Sequence, residues 1–267
     1  MDSRAPAKEI ARAALEKGLR AICFTTHIDL NPERIGLDGF MRIGGRFVRL
    51  SENTVRRYLL SGREIAAEYR GRLEVLTGFE FSYRRHFRPV VAAFIEKYEP
   101  DFVLGAVHSL ENIAMTSSRE APGYYRNHSA GEAAEDYVAA TSELVESGLF
   151  RTIAHLDAVK KYGRDFFGEA IEDAFAERVK PLLTEMSAAG VGIEINTSAL
   201  RKGFSEMYPS RKILRMAADA GVAVNSVGSD AHRVSDVAYA IPEALELIRE
   251  MKLPVGEPLK SYLPVIP

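Results

Sequence analysis

The chain has 267 residues, with 35 Lys and Arg against 37 Asp and Glu, a formal net charge of -2, six histidines and one cysteine. That length suits one domain around a single large core. The charge balance excludes a net basic field that would hold nucleic acid by phosphate neutralisation, one cysteine excludes an internal disulfide, and no apolar run of about 18 residues is present to cross a membrane.

One unit recurs along the chain: an amphipathic helical stretch, a glycine or turn, a short apolar β-branched run, then a residue able to bind metal or move protons. It first appears as Ala7 to Lys17, Gly18, Leu19 to Phe24 and His27. Cys23 lies in this first apolar run, where a reduced, buried thiol is expected, consistent with a reducing cytoplasm. The Ala/Glu/Lys pattern before it is not an export signal. The second copy is Val55 to Tyr69, Gly71, Leu73 to Gly78 and Glu80. The third has a short helix from Val90 to Tyr98, a Pro100-Asp101 turn, and Phe102 to Val107 ending at His108. A helix from about Gly131 leads through Ser147-Gly148 to Leu149 to Ala154 and His155. Next come a helix near Phe175 to Ala189, Gly190, and Val191 to Ile195 ending at Asn196. The last copy runs from Ser210 to Ala220, Gly221, and Val222 to Val227, with Asp230 and His232 beyond it. Ala238 to Met251 reads as a closing helix and Pro254 to Pro267 as an irregular tail.

Strands alternating with helices predict a parallel sheet, and a chain of this length fits a barrel of strands and helices. Such a barrel gathers its strand C-termini on one rim, so residues distant in sequence converge there. His27, His108, His155 and His232 all follow predicted strands closely, and Glu80 and Asp230 hold equivalent places. A lone histidine at a strand end is most often a hydrogen-bonded structural residue; six suitable residues after successive strands point instead to a metal site. Imidazole and carboxylate together suit zinc, manganese or iron rather than calcium or magnesium. A site of several ions would clamp phosphoryl oxygens and acidify a water. His86, in a basic run, and His128, in a loop, are expected to be exposed surface residues. Residues 28–51 and 109–129 follow strands without a sustained period, which makes them candidate substrate walls over the rim.

At this point the residues are similar to a known family. FTTH at 24–27, GFEFSY at 78–83, LGAVHSLEN at 104–112, AHLDAVKKYG at 154–163, EINTSALRK at 194–202 and GSDAH at 228–232 resemble the PHP (polymerase and histidinol phosphatase) superfamily, in order and over nearly the whole chain. NTSALRK followed by YPS, with HLDAVKKYG, resembles its histidinol-phosphate phosphatase branch. The resemblance implies one PHP domain over 1–267, a distorted (β/α)7 TIM-like barrel, with up to three divalent ions (Zn, Mn or Fe). It also implies that Glu80 bridges two ions, His108 and His155 hold one of them, Asp230 contributes to the other, and His27 with His232 belong to a third. Arg201 matches a phosphate-binding arginine, whose guanidinium fork suits a phosphate dianion. Lys161, with Lys160, could supplement it, although paired lysines more often form a solvated face. Asp157 reads either as a support for a neighbouring ligand or as a helix N-cap.

The family opens on a strand carrying an HxH pair that supplies two ligands, and no such pair stands here. The expectation is therefore a barrel short of its first strand by about fifteen to twenty residues, with Met1 internal to a longer natural product and Asp2 a remnant of a ligand position. The family's TDH is TTH here, with Thr26 in place of the acid. The implied activity is hydrolysis of L-histidinol phosphate in histidine biosynthesis by Glu80, Asp230 and Arg201. The partner is a small phosphorylated substrate, with no membrane and no nucleic acid, and no oligomeric state is written in the sequence. Two alternatives are a PHP phosphoesterase acting on another phosphomonoester or nucleotide, served by Arg42, Arg46, Arg84, Arg85 and Arg88, and a non-catalytic barrel.

Overall fold

The computed structural model describes residues 5–43 and 45–262. Six parallel strands form one sheet in the order in which they occur along the chain. In chain order the elements are α1 (Ala7–Glu16), β1 (Ala21–Asp29), α2 (Ile35–Asp38), a β2–β3 hairpin (Phe40–Ile43, Arg46–Arg49), α3 (Glu52–Tyr69), β4 (Glu74–Ser82), α4 (Arg88–Tyr98), β5 (Val103–Ala106), α5 (Ala121–Tyr125), α6 (Ala130–Glu146), β6 (Thr152–Ile153), α7 (Lys160–Phe167), α8 (Ala170–Ala189), β7 (Gly192–Asn196), α9 (Ser198–Arg201), α10 (Arg211–Asp219), β8 (Val224–Gly228), α11 (Ile241–Glu250) and α12 (Leu259–Tyr262). Each expected helix–glycine–strand unit is present. No helix among the described residues is long and apolar enough to cross a membrane.

The sheet curls. A small core of Ile10, Ala14, Phe24, Ile65 and Val75 also takes in Val237, with Ala231 and Val234 packed against it. The segment that follows β8 at one end of the sheet thus reaches α1 and β1 at the other, and Lys17 Nζ fastens it by donating to the Val237 carbonyl at 2.6 Å. The outer edge of β8 is covered in turn: Val224 N–H donates to Pro254 O at 2.8 Å and Gly256 N–H to Val224 O at 3.0 Å. Pairing an exposed edge in this way removes a template for unwanted strand addition.

Where the chain departs from expectation, the causes are local. β1 continues through His27 to Asp29, so His27 lies within the strand rather than after it. The 28–51 insertion contains the β2–β3 hairpin and α2, too short to give a period, and 109–129 contains α5. Helix α7 has no counterpart in the expected elements because Gly163 reads as a breaker; a side chain at Gly163 would stand 2.8 Å from Ile171, so its absence lets α7 lie against α8. The closing helix starts at Ile241 rather than Ala238, since Ala238 and Ala240 have φ of 55° and 52°, outside helical geometry. The 254–262 tail is less irregular than expected, with α12 and the bridge from Val255 to Val224.

The main core is aromatic under the site strands. Phe81, fully buried on β4, packs on Phe79, Phe94 and Phe150 at ring separations of 5.9, 5.4 and 6.1 Å. Phe81→Ala is expected to lower unfolding stability by about 3–5 kcal/mol through lost burial and a residual cavity. A urea titration with unchanged m checks this; a loss below about 1 kcal/mol would show that this cluster does not carry the sheet.

Candidate metal centre

Parallel register brings the predicted ligands together. His27 on β1 lies opposite Glu80 on β4, and Glu80 lies opposite Leu104 on β5, four residues before His108. His155 follows the short β6. Glu80 Oε1 accepts from His155 Nε2 at 3.0 Å and stands 3.2 Å from His108 Nε2, and the two imidazole nitrogens are 3.3 Å apart. Ligand atoms about 2.0–2.1 Å from a tetrahedral ion lie about 3.3 Å from one another. These three donor atoms therefore already describe one face of such a polyhedron, and the residues fit a divalent ion with nitrogen and oxygen preference.

The charges in the cluster depend on each other. Burial opposes the Glu80 carboxylate, but hydrogen bonds and charge from His108 and His155 hold its pKa well below the usual range. Burial would lower the His155 pKa, yet Glu80, with Glu194 and Asp230 behind it, raises it. His27 is held well below its ordinary value by burial and by the neighbouring His108, so it is a neutral donor.

Ser82, at the end of β4, joins two of the histidines. Its hydroxyl is 2.9 Å from His108 Nδ1 and 2.8 Å from His27 Nε2, and the two rings meet edge to face at 4.6 Å. A hydroxyl oxygen has two acceptor lone pairs, so Ser82 can accept an N–H from each ring and fix both while leaving the His108 Nε2 lone pair facing the space beside Glu80. Thr26, in place of the family's acid, is fully buried with an unpartnered hydroxyl, so the support for His27 comes from Ser82. Ser82 stands in the GFEFSY motif, but a serine there reads equally well as a strand end.

Glu194 is likewise absent from the expected site. It lies in the middle of β7, buried, and its Oε2 accepts from His155 N–H at 3.2 Å and from Asn196 Nδ2 at 3.1 Å. Burial, and then the charge of Glu80, push its pKa up to about 7 against the opposing effect of His155. Gly228 of GSDAH makes room for it: a Cβ there would be 2.1 Å from Glu194 Oε1. The available signal was a carboxylate inside an otherwise apolar strand buried on both faces, where an unpaired charge is costly.

Asp230, His232 and His27 fall outside the set whose donor atoms all lie within 4.8 Å. Asp230 has φ 49°, and its carbonyl accepts from Arg201 Nη2 and from His232 Nδ1, both at 2.8 Å. Arg201 Nη1 also donates to Ser229 O at 2.5 Å, so this guanidinium holds the loop that carries Asp230. Lys202, absent from the expected site, places Nζ 4.0 Å from Asp230 Oδ2, and burial lowers its pKa. Lys161 Nζ donates to Thr116 O at 2.7 Å, on the second insertion. The expected solvated lysine face is not formed: Lys160 is 1% exposed and paired with Asp157 at 2.7 Å. Asp157 also accepts from Ser210 N–H at 2.9 Å and caps no helix, since α7 begins after Val159. His128 is not an exposed residue either, because its ring stacks on Tyr124. His86 is exposed, as expected, and Cys23 is a half-buried free thiol whose pKa burial pushes up to about 12. Asp2 lies outside the described residues.

The insertions form a braced rim. Arg34, 3% exposed, donates to Asp38 at 2.6 Å and through its fork to Glu120 at 2.8 and 3.0 Å, and Asn31 bonds Asn112 at 2.8 Å. Residues from both insertions are thereby locked together beside the strand ends.

A curled parallel sheet with imidazoles and a carboxylate converging at its strand C-termini defines an α/β protein with a candidate metal-binding rim. A PHP domain family model matches residues 1–198, and the chain belongs to the PHP domain family. It is 30% identical over 256 residues to a Deinococcus radiodurans protein named "Probable histidinol-phosphatase", covering 91% of this chain and 86% of that protein. It is 26% identical to the histidinol-phosphatase of Bacillus subtilis, covering 90% of this chain and 91% of that protein. The fold matches the crystal structure of histidinol phosphate phosphatase from Lactococcus lactis complexed with zinc, L-histidinol and phosphate, at a TM-score of 0.75 and 22% identity, covering 94% of this chain and 89% of that one.

Ser82→Ala removes the shared hydroxyl without touching a ligand. Loss of such outer support typically costs 10–100-fold in metal affinity, and that range is expected in a zinc titration. Unchanged affinity would show that Ser82 does not orient His108.

Proposed function

We propose that the chain is a metal-dependent phosphomonoester hydrolase that converts L-histidinol phosphate and water to L-histidinol and phosphate, in histidine biosynthesis. The observation that carries this reading is the Glu80 carboxylate oxygen within 3.0 and 3.2 Å of two imidazole nitrogens at the strand ends. The histidinol-phosphatase relatives, aligned over about nine-tenths of the chain, support it. The complex of the Lactococcus lactis protein supports the class of ion and of substrate. In the finer reading the six strands are the greater part of a distorted (β/α)7 barrel, one domain over 1–267. Up to three divalent ions would sit at its rim, zinc foremost, with manganese or iron as alternatives.

Glu80, His108 and His155 would hold one ion, with Asp230, His232 and His27 serving the others. When bound, such ions supply positive charge to the phosphoryl oxygens and a more acidic water. The chain's own part is positioning and electrostatics, which dominate phosphoryl transfer. Arg201 keeps Asp230 in place through its backbone carbonyl and brings guanidinium charge beside it. Lys202 adds a second cation within 4.0 Å of that carboxylate. Glu194 anchors the His155 backbone from behind, and Ser82 sets the rings of His27 and His108. Lys161 holds the second insertion over the rim, where it would border the substrate.

A larger polyanion finds less support. Arg84 pairs with Glu143 at 3.2 Å, Arg85 with Glu146, and Arg88 donates to Ser147 O at 2.8 and 3.0 Å, so these arginines fasten the chain to α6.

Glu80→Gln is expected to abolish hydrolysis of histidinol phosphate while the chain stays folded. Across a panel of phosphomonoesters and nucleotides, wild-type kcat/KM should be largest for histidinol phosphate. Full turnover by the variant would reject the site, and a larger value for another phosphoester would reject the substrate.

A further inference from the structure

A second group of ligand-type side chains lies apart from the Glu80 centre. One donor atom from each of Glu111, His128 and Asp136 falls within 4.8 Å of the others. Glu111 sits in the turn after β5 with φ 50°, His128 just precedes α6, and Asp136 is in the second turn of α6. His128 Nε2 is 3.6 Å from Glu111 Oε1 and 3.9 Å from Asp136 Oδ2.

Tyr124 arranges two of the three. Its ring stacks on His128 at 4.2 Å and 21°, and its carbonyl lies 2.9 Å from His128 Nδ1. A carbonyl only accepts, so Nδ1 carries a hydrogen, and in the neutral ring Nε2 is left as a lone pair facing the two carboxylates. The Tyr124 hydroxyl, itself buried, donates to Asp136 Oδ2 at 2.7 Å. An imidazole held through its other nitrogen by a carbonyl, beside a carboxylate held by a hydroxyl, is how ligands are oriented around a metal. Three acceptors facing one space are an arrangement that a cation can bridge. The distances of 3.6 and 3.9 Å exceed the tetrahedral ligand spacing of about 3.3 Å by only a few tenths of an ångström. Glu111 and Asp136 also line a cleft of about 370 Å³, which gives an ion and its waters a way in.

We propose that Glu111, His128 and Asp136 form a further metal site for a divalent transition ion such as zinc, tying the second rim insertion to α6. One imidazole and two carboxylates neutralise a dication and select against calcium and magnesium. Its ligands are separate from those of the hydrolytic centre, so the ion it holds is additional to the set at the strand ends.

The test is a calorimetric zinc titration of the chelator-stripped full chain, with hydrogen exchange of residues 109–136 followed before and after zinc. The wild type is expected to take up one more equivalent than Glu111→Gln or His128→Gln, and zinc should slow exchange in 109–136 only in the wild type. Should His128→Gln fail to fold for loss of its stack on Tyr124, Glu111→Gln decides, because that side chain is 61% exposed. Equal equivalents in the wild type and Glu111→Gln, or exchange indifferent to zinc, would overturn the site. The count is independent of hydrolysis: loss of turnover in Glu80→Gln tests the first centre, and the missing equivalent in Glu111→Gln tests the second.

Discussion

A carboxylate removed from water is unstable unless compensating charge and hydrogen bonds surround it. Glu80 meets that condition only because His108 and His155 reach the same oxygen from two neighbouring strands. Breaking the register between β4 and β5, or shortening the turn after β6, would leave a buried charge alone. The parallel sheet and the cluster are therefore one constraint: the strands must end level, and ending level brings Glu80, His108 and His155 to one rim. His155 and Asp230 illustrate its cost, with φ of 32° and 49° in the left-handed region that side chains rarely adopt. Such geometry persists where the surroundings over-determine it. For His155 they do, since its N–H is bound by Glu194 and its carbonyl accepts from Ala158 N–H at 2.8 Å.

Around the candidate ligands stands a layer that positions them. Ser82 couples the rings of His27 and His108, Glu194 holds the backbone of His155, and Arg201 holds the backbone of Asp230. Each acts through hydrogen bonds to groups that would otherwise rotate or drift. The Glu194 carboxyl, its pKa pushed up to about 7 mainly by burial, reaches His155 through the backbone N–H and so does not compete for its ring. The absence of a side chain at Gly228 is part of the same layer, because any Cβ there would displace Glu194.

The elements and the ligands were legible for one reason: both leave a periodic mark. Helix, glycine and apolar run repeat, and a polar residue after each run is conspicuous, which is how Glu80, His108 and His155 stand out before any coordinates. The supporting layer leaves no such mark. Lys160 reads as half of an exposed pair, and only its bonds to Asp157 and to the distant Met207 carbonyl show it buried. His128 reads as a loop histidine, and its stack on Tyr124 depends on where α5 ends. Glu194 was readable in principle, since a charge inside a strand buried on both faces needs a reason. The rim brace of Arg34 and Glu120 joins residues 86 positions apart in two aperiodic insertions, and nothing local predicts it.

The cations near Asp230 divide their work according to chemistry. Arg201 has five N–H donors in a rigid fork, and the two committed to the Ser229 and Asp230 carbonyls leave the guanidinium charge intact while removing its freedom to move. Such a group sets a fixed field. Lys202 is a point charge on a flexible stem, held by Ser198 Oγ at 3.2 Å and partly desolvated. In the proposed reaction the fixed guanidinium would bind phosphate the same way in ground and transition states. The lysine can follow the phosphoryl oxygens as their charge redistributes. Loss of Arg201 would then disturb the position of the Asp230 backbone, whereas loss of Lys202 would remove a cation from the transferred group and from the Asp230 carboxylate 4.0 Å away, with the loop left in place.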